Sequence, residues 1–82
     1  MTLYQFNLLN EIQQAEMLWE NGVHIGEREE GEHTIVLYQI DGFYVEVFYH
    51  RGLNEIKRFR SFSSVDQLMP YTDKISIAGL GN

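Results

Sequence analysis

The chain has 82 residues, of which 44% are hydrophobic and 13% aromatic, and its formal net charge at pH 7 is −6. This composition is typical of a single globular domain over residues 1–82 and excludes a disordered chain. There is no cysteine, so the chain has neither a disulfide framework nor a thiolate site. Twelve acidic residues against six basic ones argue against nucleic acid or an anionic membrane as partner, because phosphate binding depends on clustered cations.

Targeting signals are not apparent in the sequence. No apolar run approaches the roughly 20 residues that a membrane-spanning helix needs. The first twelve residues contain no Lys or Arg, and Asn and Gln interrupt their apolar positions, which is not the pattern of a signal peptide. We therefore expect a cytoplasmic protein that does not enter a membrane.

Residues 7–21 are predicted to form an N-terminal helix. Apolar residues recur there at helical spacing, and the resulting stripe consists of Leu8, Ile12, Ala15 and Trp19, widened by Leu18. Asn10 and Gln13 have the spacing of a capping box, and Gly22 suits a helix C-terminus. We expect this helix to pack on the following sheet through Ile12, Ala15 and Trp19.

Four strands are predicted after the helix, at residues 23–28, 33–40, 43–50 and 55–62. Asp41-Gly42 between the second and third strands is the strongest hairpin signal in the chain. A short helix is expected near residues 65–74, distorted or restarted at Pro70 because proline interrupts a helix interior. The predicted fold class is therefore α+β, with an N-terminal helix, a four-stranded antiparallel meander sheet and a short C-terminal helix.

Strand register assigns the side chains to two faces. Two-residue turns at 30–31 and 41–42 place one apolar set together on an inner face that receives the helix: Val23, Ile25, Val36, Tyr38, Ile40, Phe43, Val45, Val47 and Tyr49. The opposite, outer face then holds His24, Gly26, Ile35, Leu37, Gln39, Tyr44, Glu46, Phe48 and His50. In the fourth strand, a bulge near residues 57–58 would bring Phe59 inward and turn Arg58 and Arg60 outward, because unpaired charges are too costly to bury.

The outer face carries more apolar surface than a solvated sheet face normally does. The residues concerned are Ile35, Leu37, Tyr44 and Phe48. Three covers are considered: a second copy of the chain, a different protein, or the C-terminal segment through Leu68, Tyr71, Ile75 and Ile77. Arg58 and Arg60 beside this patch protect the sheet edge, contact an acidic surface, or form with Phe59 a platform for a small anion or single-stranded nucleic acid, which the net charge opposes. They complete the predicted interaction site.

Histidines and one acid are the candidates for chemistry. His33 and His50 are predicted to face each other across the hairpin, which would supply two ligands of a metal site that needs at least a third. Glu46 lies within an apolar strand, where burial would raise its pKa unless a cation such as Lys57 pairs with it. No catalytic residue and no cofactor is predicted, because no catalytic motif stands out.

Two functions follow from these observations. The first is a small acidic, non-enzymatic protein-interaction domain that forms a homodimer or binds a protein partner through the outer face. The alternative is a small-ligand or metal-binding protein that uses His33 and His50, with hydrolytic activity as a possible extension. The element order resembles the double-stranded-RNA-binding domain in outline. The GPxH-like loop and the lysine-rich last helix of that family are absent, so nucleic acid is not a predicted partner.

Overall fold

The computed structural model describes residues 1–71 of the chain, and the predictions for residues 72–82, including Ile75 and Ile77, lie outside this part. The elements in chain order are α1 (Leu3–Asn7), α2 (Glu11–Asn21), β1 (Val23–Glu30), β2 (His33–Ile40), β3 (Phe43–His50), β4 (Glu55–Phe62) and a C-terminal 3-10 helix (Val65–Tyr71). The predicted α+β class and meander are confirmed, since the four antiparallel strands lie in the order β1-β2-β3-β4. Within residues 1–71, no helix is long and apolar enough to cross a membrane.

The predicted register of β2 against β3 is confirmed along its whole length, from His33 opposite His50 to Ile40 opposite Phe43. The two-residue turn between these strands holds Asp41 at a φ of 50°, a left-handed conformation that aspartate tolerates well. This central hairpin fixes which side chains of both strands face inward and which face outward.

The predicted pairing of β1 with β2 is wrong. The turn lies at Gly31 and Glu32, one residue later than expected, and Gly31 has a φ of 60° that suits glycine. A bulge between His24 and Gly26 then shifts the register again. Moving the turn by one residue shifts each pairing by two residues and leaves the faces unchanged. The bulge shifts the register by one residue, and it therefore exchanges the faces of the residues on its N-terminal side.

The bulge moves two side chains of β1 to the opposite face. Ile25 packs against the outer-face cluster and not against the inner face. The ring of His24 lies 5.8 Å from the ring of Tyr38, which belongs to the inner face. Arg28 stays on the outer face, but the new turn position places it opposite Ile35.

A bulge in β4 is confirmed, with Lys57 as the extra residue. Phe59 lies opposite Val47 and packs against the inner core. Arg58 and Arg60 fall on the outer face, as the cost of burying unpaired charges predicted.

The predicted orientation of the N-terminal helix is wrong. The segment forms two helices, and the inner core takes its helical contribution from Phe6 of α1 and Leu18 of α2. The side chain of Ile12 is 73% exposed and that of Trp19 is 57% exposed, whereas Leu18 is completely buried. The expected inward face of α2 therefore points largely to solvent.

Contacts with α1 explain this orientation. Thr2 and Gln5 form a capping box that starts α1 before the predicted helix, and the ring of Phe6 packs 5.7 Å from the ring of Phe43. Gln14 of α2 donates a hydrogen bond to the carbonyl oxygen of Phe6 at 3.1 Å. Leu18 follows Gln14 by four residues, so it lies on the same face of α2 and is turned inward with it.

This orientation predicts unequal losses from two alanine substitutions. Leu18→Ala should lower the free energy of unfolding by about 3 kcal/mol, because it leaves a cavity in the core. Ile12→Ala should change it by less than about 0.5 kcal/mol, because the side chain is mainly solvated. Urea denaturation of both variants measures the difference, and a larger loss for Ile12→Ala would contradict the observed packing of α2.

Candidate functional site

The C-terminal helix covers part of the outer face. Leu68 and Tyr71 are buried against Leu37, Tyr44 and Phe62, and the rings of Tyr44 and Phe62 stack at 5.4 Å. The structure therefore shows one of the three predicted covers: the C-terminal segment covers Leu37 and Tyr44.

Glu46 lies at the centre of the outer face and is only 2% exposed. Arg60 Nη1 donates to one carboxylate oxygen at 2.7 Å, and Arg28 Nη2 donates to the other at 3.2 Å. The Tyr71 hydroxyl also donates to this carboxylate. The predicted Lys57 partner is wrong, since Lys57 pairs with Glu55 at 2.8 Å. Two cations and a hydroxyl thus compensate a charge that would be costly to bury alone.

The same contacts shift the ionisation of the groups around Glu46. Burial raises the pKa of the Tyr71 hydroxyl above its usual range, and the hydrogen bond to Glu46 adds to the effect. Burial alone would lower the pKa of Arg28, but its hydrogen bonds to Glu30, Tyr71 and Glu46 raise the pKa overall. The hydrogen bond from Arg28 lowers the pKa of Glu30. At neutral pH Arg28 is therefore charged and Tyr71 is a neutral donor, so the cluster binds the C-terminal helix to the sheet.

A cavity of about 420 Å³ lies beside this cluster. The charged residues that line it are Arg28, Arg58, Arg60, Glu30, Glu46 and Asp66. Three cations against three carboxylates leave no charge excess that would attract an ion. The charges that line the cavity therefore balance, and they do not form an anion-binding site.

The predicted interaction residues differ in their accessibility. Ile35 and Leu37 are fully buried, and Tyr44 is nearly so. Phe48 is 9% exposed, because the Arg58 guanidinium lies 4.3 Å above the centroid of its ring. Arg58 and Arg60 remain at the surface of this face. A role of these residues in binding a partner stays a prediction.

The two histidines meet as predicted, with ring centroids 5.0 Å apart. His50 Nδ1 accepts a hydrogen bond from the backbone N–H of Leu53 at 3.0 Å, and its Nε2 lies 3.3 Å from the Glu32 carboxylate. Both nitrogens of His50 are thus engaged within the chain. In residues 1–71, no group of three or more histidines and acids is placed to hold a metal ion.

The exposed surface of α2 is a feature that the sequence identified but placed wrongly. At about 100° per residue, the side chains that follow one another around this side of the helix are Glu11, Ala15, Trp19, Ile12, Glu16 and Glu20. We define the α2 stripe as Ile12, Ala15 and Trp19. It is apolar in the middle and bordered by glutamates on both sides.

The α2 stripe continues into the sheet at both ends. A groove of about 210 Å³ separates Ile12 and Ala15 from Ile56 and Phe59 of β4. At the other end, the ring of Trp19 lies 6.5 Å from the ring of Tyr38 in β2. The α2 stripe therefore has apolar neighbours on β4 at one end and on β2 at the other.

Comparisons of the chain with protein families, with curated proteins and with solved structures find no match. The outer face and the α2 stripe are therefore the two surfaces from which a function is inferred.

Because two arginines and Tyr71 depend on Glu46 for their hydrogen-bond acceptor, we expect the stability of the protein to depend strongly on the Glu46 carboxylate. Glu46→Gln should lower the free energy of unfolding by about 2–3 kcal/mol, because it leaves Arg28 and Arg60 partly buried without their anion. Glu30→Gln removes an exposed partner of the same Arg28 and is the matched control, with a urea midpoint close to the native one. Equal midpoints for the two variants would show that Glu46 does not hold the outer face together.

Proposed function

We propose that this chain is a non-enzymatic protein-interaction domain that binds another polypeptide through the α2 stripe and the adjoining groove. The observation that carries the proposal is the exposure of Trp19 and of Ile12, which lies beside the partly exposed Ile56. Single exposed apolar side chains are common on protein surfaces, but a continuous apolar surface with a polar border is a mark of an interface.

The residue types in the α2 stripe support a binding role. Tryptophan is enriched among the residues that dominate the energy of protein interfaces, because it buries a large area with little loss of conformational freedom. Trp19 is held at the surface by its contact with Tyr38, and Ile12 borders a preformed groove. A partner would gain apolar contact here without first reorganising the domain.

The outer face offers a different kind of contact. Its apolar residues are already covered by Arg58 and by the C-terminal helix, so a partner on this side would contact charged groups. Binding of an acidic surface by Arg58 and Arg60 remains a separate proposal. The sequence predicts an exposed apolar surface on the outer face, and the exposed apolar side chains of Ile12 and Trp19 belong instead to the α2 stripe.

Ile12→Glu should abolish binding through the α2 stripe, because it places a charge in the middle of the apolar surface. The substitution should leave the fold intact, since Ile12 is mainly solvated. Val65→Glu is the matched control: Val65 is 58% exposed and lies on the C-terminal helix, on the other side of the sheet.

Light scattering and capture of partners on the purified chain are the measurements. A partner or a dimer that is lost with Ile12→Glu and kept with Val65→Glu supports the proposal. Identical partners and identical mass for the native chain and both variants would contradict it.

A further inference from the structure

The side chains of α1 and α2 carry negative charges but no positive ones. Residues 1–27 contain no Lys or Arg, and α2 carries three glutamates: Glu11, Glu16 and Glu20. In residues 1–71, none of these three carboxylates takes part in an ion pair. Four of the five glutamates on the sheet strands differ, since Glu29, Glu30, Glu46 and Glu55 are each paired with a cation.

The unpaired glutamates lie where a partner of the α2 stripe would place its own flanks. Around the helix axis, Glu11 borders the stripe on one side, while Glu16 and Glu20 border it on the other. An apolar ridge seated on Ile12 and Trp19 would therefore have a negative carboxylate along both of its edges. Charges at the rim of an interface select the partner by complementarity.

We infer, on the basis of the proposed function, that the α2 stripe takes a basic amphipathic segment, with apolar residues in the centre and Lys or Arg on both flanks. A helical segment fits the geometry, because an apolar stripe at helical spacing can lie along the groove between α2 and β4. The partner is thus a cationic polypeptide.

Residues 1–71 of a second copy do not supply this chemistry. In a symmetric dimer the same patch meets itself, so the glutamates of one α2 would approach those of the other. Among residues 1–71, Lys57 and Arg51 are already paired with Glu55 and Glu29. Arg28, Arg58 and Arg60 lie on the outer face, across the sheet from α2.

Two designed peptides of about 18 residues test the inference. Both carry Leu at helical spacing, and their flanks carry Lys in one peptide and Glu in the other. Trp19 is the only tryptophan of the chain, so its fluorescence reports binding directly. The Lys peptide should bind the native chain at least about tenfold more tightly than the Glu peptide at physiological salt.

Two triple variants separate the local effect from the effect of net charge. The first is Glu11→Gln, Glu16→Gln and Glu20→Gln. The second is Glu32→Gln, Asp41→Asn and Asp66→Asn, which removes three carboxylates elsewhere and has the same net charge. The first should weaken binding of the Lys peptide about tenfold, and the second by less than about twofold.

The outcomes distinguish the inference from the proposed function. Equal weakening by both triple variants, or equal affinity for both peptides, overturns the inference while the apolar binding surface survives. Unchanged binding of the Lys peptide to Ile12→Ser overturns the surface itself. A native dimer that Ile12→Ser converts to a monomer overturns the inference in favour of a second copy.

Discussion

The buried carboxylate of Glu46 is the constraint on which the outer side of the structure depends. It joins β3 to Arg28 of β1, to Arg60 of β4 and to Tyr71 of the C-terminal helix. The turn at Gly31 and Glu32 sets the position of Arg28 along the outer face, and the bulge in β4 turns Arg60 to that face. Without the bulge, β4 would turn arginine into the apolar core. With it, Arg60 pairs with Glu46, the only charge buried at the centre of the described sheet.

Closure of the outer face determines which surface is left for a partner. Tyr71 and Leu68 cover the apolar residues that the strands present on that side, and Arg58 covers Phe48. On the inner side, Phe6 of α1 occupies core space next to Phe43, and α2 turns Leu18 inward beside it. The α2 stripe is therefore left exposed by the packing of α1, and its glutamate borders give the exposed surface a charge preference.

The register of the central hairpin and the bulge in β4 could be predicted from local signals in the sequence. The β2–β3 register follows from a two-residue Asp-Gly turn and continuous apolar strands, and the β4 bulge follows from the cost of burying arginine. The β1 register could not be predicted, because the acidic turn allows several two-residue positions and Ile25 alone cannot fix a face. The helical periodicity identifies the α2 stripe, but it cannot show that Phe6 of the separate helix α1 occupies part of the core that α2 was expected to cover. The partners of Glu46 lie 14 to 25 residues away in the chain, which no local pattern reveals.

The exposure of Trp19 is the most direct test of this account. Fluorescence of the native chain at a concentration where light scattering shows a monomer should resemble that of an accessible indole. Acrylamide should quench it with roughly half or more of its efficiency on the urea-unfolded chain, because the side chain is 57% exposed. Caesium should quench more than iodide, because the α2 stripe that contains Trp19 is bordered by glutamates. A blue-shifted emission that acrylamide does not reach would contradict the account, since it would mean that the α2 stripe is buried on the sheet.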